Sequence, residues 1–128
     1  MAVDPNMPIL IVDDYKVMIR IIRNQLGEIG FSNVDEAYDG NDALAKLQDG
    51  EFRLLIGSWN MEPMNGLDLL REIRGDDSLK DLPFILVTAE NGIETVAAAR
   101  KAGVSNYIAR PFNAEMLKAT VESVVGEL

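Results

Sequence analysis

The sequence predicts an α/β fold: a doubly wound parallel sheet of five strands in the order 2-1-3-4-5, with helices on both faces. Two observations lead there. Short apolar runs alternate with segments of helical periodicity, five times over 128 residues. Strict alternation of this kind builds a parallel sheet covered on both faces by right-handed crossovers. In addition, polar side chains suited to chemistry follow the apolar runs, at the strand ends where such flavodoxin-like sheets bind ligands.

The elements follow in order. Ile9 to Val12 (ILIV) is the first strand, and Val17, Met18, Ile21, Ile22 and Leu26 mark one face of the first helix. Val34 to Ala37 (VDEA) is the second strand, with a helix near Asn41 to Gln48. Leu54 to Gly57 (LLIG) is the third, with a helix ending at Arg74; Phe84 to Val87 (FILV) is the fourth, with a helix to Ala102. Asn106 to Ile108 (NYI) is the fifth, and the last helix starts after Pro111. Gly27, Gly30, Gly50, Gly75 and Gly103 lie near helix ends, where left-handed caps are expected. Residues 1–8 read as a disordered leader and 9–128 as one domain.

Composition narrows the function. The chain carries 21 acidic and 12 basic side chains, a net charge of −9. That argues against a nucleic-acid surface and leaves cations and proteins as partners. No apolar run is long enough to cross a membrane and no signal peptide is recognisable, so the expected location is the cytoplasm. The absence of histidine removes the commonest general base and zinc ligand.

The predicted fold brings together Asp13 and Asp14, Ser58 and Asn60, Thr88, and Arg110 before Pro111. Two adjacent carboxylates raise each other's pKa unless a cation or donor offsets them. Mg²⁺, which takes one or two carboxylates with waters and a carbonyl, suits such a rim. A serine hydrolase reading fails, because IGSWN is not a G-x-S-x-G elbow and no histidine exists to act as base. A dinucleotide-binding reading fails too, since DDYK follows the first strand where a glycine-rich loop is needed.

LIVDD, SWNMEPMNG, LVTAE and NYIARPF, in this order and spacing, resemble the CheY-like receiver domain of two-component phosphorelay signalling, above all its single-domain chemotaxis regulators. The resemblance spans Pro8 to about Val125. It implies Asp13, Asp14 and the Asn60 carbonyl as Mg²⁺ ligands, Thr88 as switch hydroxyl, Tyr107 as switch aromatic and a cis bond before Pro111. It implies no enzymatic activity. It also implies a protein partner, such as a histidine kinase or a motor or effector protein, on the face around Ala98, Val104 and Tyr107.

Two positions depart from the family pattern. The phosphoacceptor aspartate falls on Ser58, and the lysine position is Arg110. Serine supplies neither the anionic nucleophile nor the third anionic metal ligand, so Mg²⁺ binding is expected to be weak. Arginine keeps the charge but replaces a compact ammonium with a wide fork, which could pair with Asp13 or Asp14 in the ion's place. The expected function is therefore that of a pseudo-receiver acting by phosphorylation-independent protein binding. The alternative is an ordinary Mg²⁺-dependent regulator carrying an engineered acceptor substitution.

Overall fold

The computed structural model describes residues 5–62, 64–88 and 93–125. Pro63, Ala89 and Glu90 of the quoted motifs, the first four residues and the last three lie outside the described residues. Five strands, β1 (Ile9–Val12), β2 (Val34–Ala37), β3 (Leu54–Ser58), β4 (Phe84–Thr88) and β5 (Asn106–Ala109), form one parallel sheet in the order β2-β1-β3-β4-β5. Between and after them run α1 (Lys16–Ile29), α2 (Gly40–Asp49), α3 (Gly66–Arg74), α4 (Ile93–Lys101) and α5 (Ala114–Val125). The predicted fold and strand order are those observed.

The sheet's two faces bury two separate cores, because successive strand side chains point to opposite sides. Ile9, Ile11, Leu54, Ile56, Ile85, Val87 and Ile108 pack beneath α1 and α5, against Ile19, Ile22, Leu26, Leu117 and Val121. Leu10, Val12, Leu55, Phe84 and Leu86 meet Leu47 of α2, Leu69, Leu70 and Ile73 of α3, and Ala99 of α4. Side-chain caps start three helices at defined points. Asp39 accepts from the Asp42 N–H, Asn65 from that of Asp68, and Asn113 from that of Met116.

Several expectations need correction. Met7 is buried in the α1/α5 core and the Pro8 carbonyl accepts from the Arg53 N–H, so the end of the expected leader belongs to the packed domain. Its apolar side chain has a core to enter, which a boundary placed at the first apolar run overlooks. Of the five glycines expected in left-handed caps, only Gly30 and Gly103 have positive φ. Gly27 lies within the last turn of α1, Gly50 is extended and Gly75 is right-handed helical.

Arg74, at the end of α3, ties three segments together. Its guanidinium donates to the carbonyls of Gly103 (2.8 Å), Lys80 (3.1 Å) and Leu82 (2.7 Å). Because partial burial strips its water, its pKa is lowered, yet an arginine stays charged and each of these bonds is charge-assisted. Arg74→Ala is expected to cost about 2 kcal/mol or more, since it leaves several carbonyls without their donor. A urea unfolding midpoint unchanged from that of the native chain would refute this.

Candidate functional site

The strand register sets the site. Val12 pairs with Gly57, Ser58 with Val87, and Thr88 with Ala109, so the ends of four strands lie side by side. The ladder runs on past them: Asp13 N–H donates to Ala37 O (3.2 Å), Trp59 N–H to Val87 O (2.9 Å) and Arg110 N–H to Thr88 O (2.8 Å). Asp13, Ser58, Thr88 and Arg110 therefore meet at one rim. Among the described residues the buried polar side chains are Asp13, Ser58 and Thr88, at 3%, 3% and 2% exposure, and all three stand at this rim. Buried polar groups are costly, so their concentration at one place marks a site.

Each has a distinct environment. Asp13 Oδ1 accepts the Tyr15 N–H at 3.0 Å. Burial nonetheless pushes its carboxyl up to about 6, with neighbouring Asp14 adding to the rise and the Arg110 charge only partly opposing it. Asp14 is exposed. It lines a cleft of about 460 Å³ with Trp59, Asn60, Met61, Glu62 and Asn65. Ser58 Oγ donates to the Asn60 carbonyl over 3.4 Å, a long and weak bond. Thr88 Oγ1 and Arg110 Nε are buried and have no hydrogen-bond partner among the described residues. The expected pairing of Arg110 with Asp13 or Asp14 is absent: the ion pairs among the described residues are Arg23–Glu36 and Lys46–Asp35. Arg110 sits near enough to lower the Asp13 pKa without reaching salt-bridge distance. The bond between Arg110 and Pro111 is cis.

Tyr107 is half-buried, packed on the α2–α4 core with the Arg100 guanidinium 5.9 Å from its ring centroid. That cation–π partner, on exposed Arg100 of α4, is one sequence patterning does not reveal. Ala98, Val104 and Ala109 are partly exposed and Ala97 is exposed, while Ala99 is buried. Gly66 is a further site residue that the sequence patterns do not single out. Its N–H donates to the Trp59 carbonyl (3.0 Å), which closes the loop that carries Asn60. A larger hollow of about 930 Å³, lined by Met7, Phe52, Leu79, Pro83 and Val124, opens at the strands' other ends, away from every buried polar group.

The raised Asp13 pKa has a sign that can be tested. A carboxyl with a folded pKa above its unfolded value contributes stability below about pH 4 that is lost as pH rises through about 6. With metal chelated, Asp13→Asn, which retains the acceptor for Tyr15 N–H, is expected to be more stable than the native chain at pH 8. The gain is about 1–2 kcal/mol, less than the full shift because solvent at the rim screens the charge. It should vanish near pH 4; a thermal-melt difference independent of pH would contradict the assignment.

A five-stranded parallel sheet with two acids, two hydroxyls and a cation at its carboxyl rim defines a receiver-type signalling domain. The chain belongs to the response regulator receiver domain family of two-component signalling, whose family model matches residues 9–122. It is 48% identical over 118 residues to the chemotaxis protein CheY of Pseudomonas aeruginosa, covering 92% of this chain and 95% of that protein. It is 46% identical over 123 residues to CheY-3 of Vibrio cholerae, covering 96% and 95%. Among solved structures it resembles the Vibrio cholerae regulator CheY4, with a TM-score of 0.84 at 29% identity over 91% of this chain and 97% of that one. A putative response regulator from Chloroflexus aurantiacus superposes with a TM-score of 0.90 at 26% identity, covering 95% and 99%.

Proposed function

We propose that this chain is a CheY-like, chemotaxis-type regulator that works as a pseudo-receiver, binding a signalling partner without being phosphorylated. The observation that supports this reading is Ser58, a buried hydroxyl at the end of β3 beside the strand ends that carry Asp13 and Thr88; the resemblance to the family makes this the acceptor position. Its hydrogen bond goes to a carbonyl, which accepts but cannot deprotonate it, and the chain has no histidine. An un-ionised serine is a poor nucleophile. The chain is not an enzyme on this reading.

Members of this family generally bind Mg²⁺. The oxygen donors here, the Asp13 and Asp14 carboxylates and the Asn60 carbonyl, are of the hard type that Mg²⁺ takes. With serine at position 58 the rim offers one anionic ligand fewer than an aspartate there would give, and on that ground the binding is expected to be weak. When bound, the ion would offset the repulsion between the two carboxylates. Thr88 and Tyr107 would serve as the switch pair, and the partner, a histidine kinase or a motor or effector protein, would meet the face around Ala98, Val104 and Tyr107. No helix among the described residues is long and apolar enough to cross a membrane, which accords with a cytoplasmic location. Incubation with acetyl phosphate and Mg²⁺ tests the reading: the intact mass should not change, and a phosphoryl adduct on Ser58 would overturn it.

A further inference from the structure

β2 is an edge strand, hydrogen-bonded to β1 alone. The Asn33 and Ala37 carbonyls accept from the Ile9 and Asp13 N–H groups of the β1 side, and neighbouring residues of a strand alternate in direction. The four groups from the Val34 carbonyl to the Tyr38 N–H, namely Val34 O, Glu36 N–H, Glu36 O and Tyr38 N–H, therefore face outward. Such a row is what another strand needs in order to pair. Here each of the four is answered by a side chain. Arg23 Nη2 donates to Val34 O at 3.0 Å, and Lys46 Nζ donates to Glu36 O. Asp35 Oδ1 accepts the Glu36 N–H at 2.8 Å, and Asp42 Oδ2 accepts that of Tyr38 at 3.2 Å.

The strand's own acids hold the two cations in place. Arg23 Nε lies 2.6 Å from Glu36 Oε2, and Lys46 Nζ 3.7 Å from Asp35 Oδ1, so both ion pairs among the described residues stand on this one edge. Arg23 comes from α1 and Lys46 from α2, which cover opposite faces of the sheet, so the edge is closed from both sides. Solvent-accessible ion pairs contribute little to stability, and their concentration along one strand points to a use other than holding the fold. The other edge strand, β5, differs. Asn106 Oδ1 accepts the Tyr107 N–H there, but among the described residues no side chain donates to a β5 carbonyl.

We propose that β2 is a latent dimerisation edge, kept closed by Arg23, Lys46 and Asp35 with Asp42 at its end, onto which a second copy of this chain adds its own β2 once they are removed. A second copy is the occupant because the outward row alternates acceptor, donor, acceptor and donor, which two antiparallel copies of one strand satisfy across a two-fold axis. Asp35 and Glu36 of the two copies would then lie close together, so the acids that hold the cations also repel an incoming copy. The device acts at the far edge of the sheet from β5 and is independent of whether Ser58 is phosphorylated.

The test compares the native chain with a fourfold variant carrying Arg23→Met, Lys46→Met, Asp35→Thr and Glu36→Thr. The variant loses two cations and two acids, so its net charge stays at −9 and association cannot come from weaker overall repulsion. By sedimentation velocity it should self-associate at least about tenfold more tightly than the native chain, as backbone bonds between copies take the place of the lost side-chain ones. Glu36→Pro in place of Glu36→Thr supplies the control. The N–H at that position faces away from β1, so proline spares the β1–β2 ladder while removing a donor that the second copy needs. The proline variant should sediment as the native chain does. Where the fourfold variant loses its circular dichroism spectrum, Arg23→Met and Lys46→Met decide singly: each should associate more than the native chain, and no increase in either overturns the proposal. Unchanged sedimentation of a folded fourfold variant, or association that persists with proline at position 36, overturns it equally.

Discussion

On the pseudo-receiver reading proposed above, Ser58→Asp is expected to give a chain that forms a hydroxylamine-sensitive adduct with acetyl phosphate and Mg²⁺ where the native chain forms none. The substitution supplies, at one buried position, both an ionised oxygen nucleophile and a third anionic ligand for the metal. The surroundings are in place: among the described residues Thr88 has an unpartnered buried hydroxyl and Arg110 an unpartnered buried Nε–H, and Asp13 and Asp14 stand at the end of the neighbouring strand. The rate should lag behind that of a lysine-bearing receiver, because the arginine fork is wider than an ammonium. The introduced carboxylate would also face the buried Asp13, whose own carboxyl already sits at about 6. The variant should therefore melt lower than the native chain in chelator and recover with Mg²⁺, more than the native chain does. An unmodified variant with an intact circular dichroism spectrum would show that the rim does not support the family's chemistry.

Gly66→Ala is expected to be the most damaging single-methyl change near the site. A Cβ there would stand 2.4 Å from the Ser58 carbonyl oxygen, 2.8 Å from Leu86 Cδ1 and 2.9 Å from Trp59 Cα. Two of those three atoms are backbone and cannot turn aside. The start of α3 must move away from the end of β3, breaking the Gly66–Trp59 hydrogen bond that closes the loop. The cost should be about 3 kcal/mol or more, at the upper end for overpacking. It should come with altered Trp59 emission, because the loop and the indole move together. Gly75→Ala is the control: its added Cβ would meet only the carbonyls of Arg71 and Glu72, at 3.3 and 3.8 Å, in a right-handed helical conformation open to any residue. Equal effects of the two substitutions would refute the close-approach explanation.

Gly57 illustrates a feature that patterning could not show. A Cβ at Gly57 would touch Val12 Cγ1 at 3.0 Å and the Phe84 ring at 3.2 Å, so the missing side chain makes room for a large aromatic from the adjacent strand. Read along the chain, Gly57 is a weak point in an apolar run. Across the sheet it is one half of a packing pair with Phe84.

What the sequence determined by itself was the alternation. Strand-helix repetition of this length admits few topologies, since parallel strands need right-handed crossovers and a rim at their carboxyl ends. The first two strands were legible to the residue. The third and fourth run one residue further than their apolar cores suggest, to Ser58 and Thr88, and the fifth also takes in the small Ala109. Periodicity stops at the last apolar side chain, whereas a ladder stops where the neighbouring strand ceases to offer partners. Tertiary structure alone decided how each rim residue is used. Asp13 and Asp14 are adjacent in sequence, yet one is buried and the other exposed. Arg110 stands close to acids that could have claimed it, yet forms no ion pair with them. Burial and pairing depend on which strands lie next to each other and on where their side chains point, and those relations exist only once the sheet has closed around the rim.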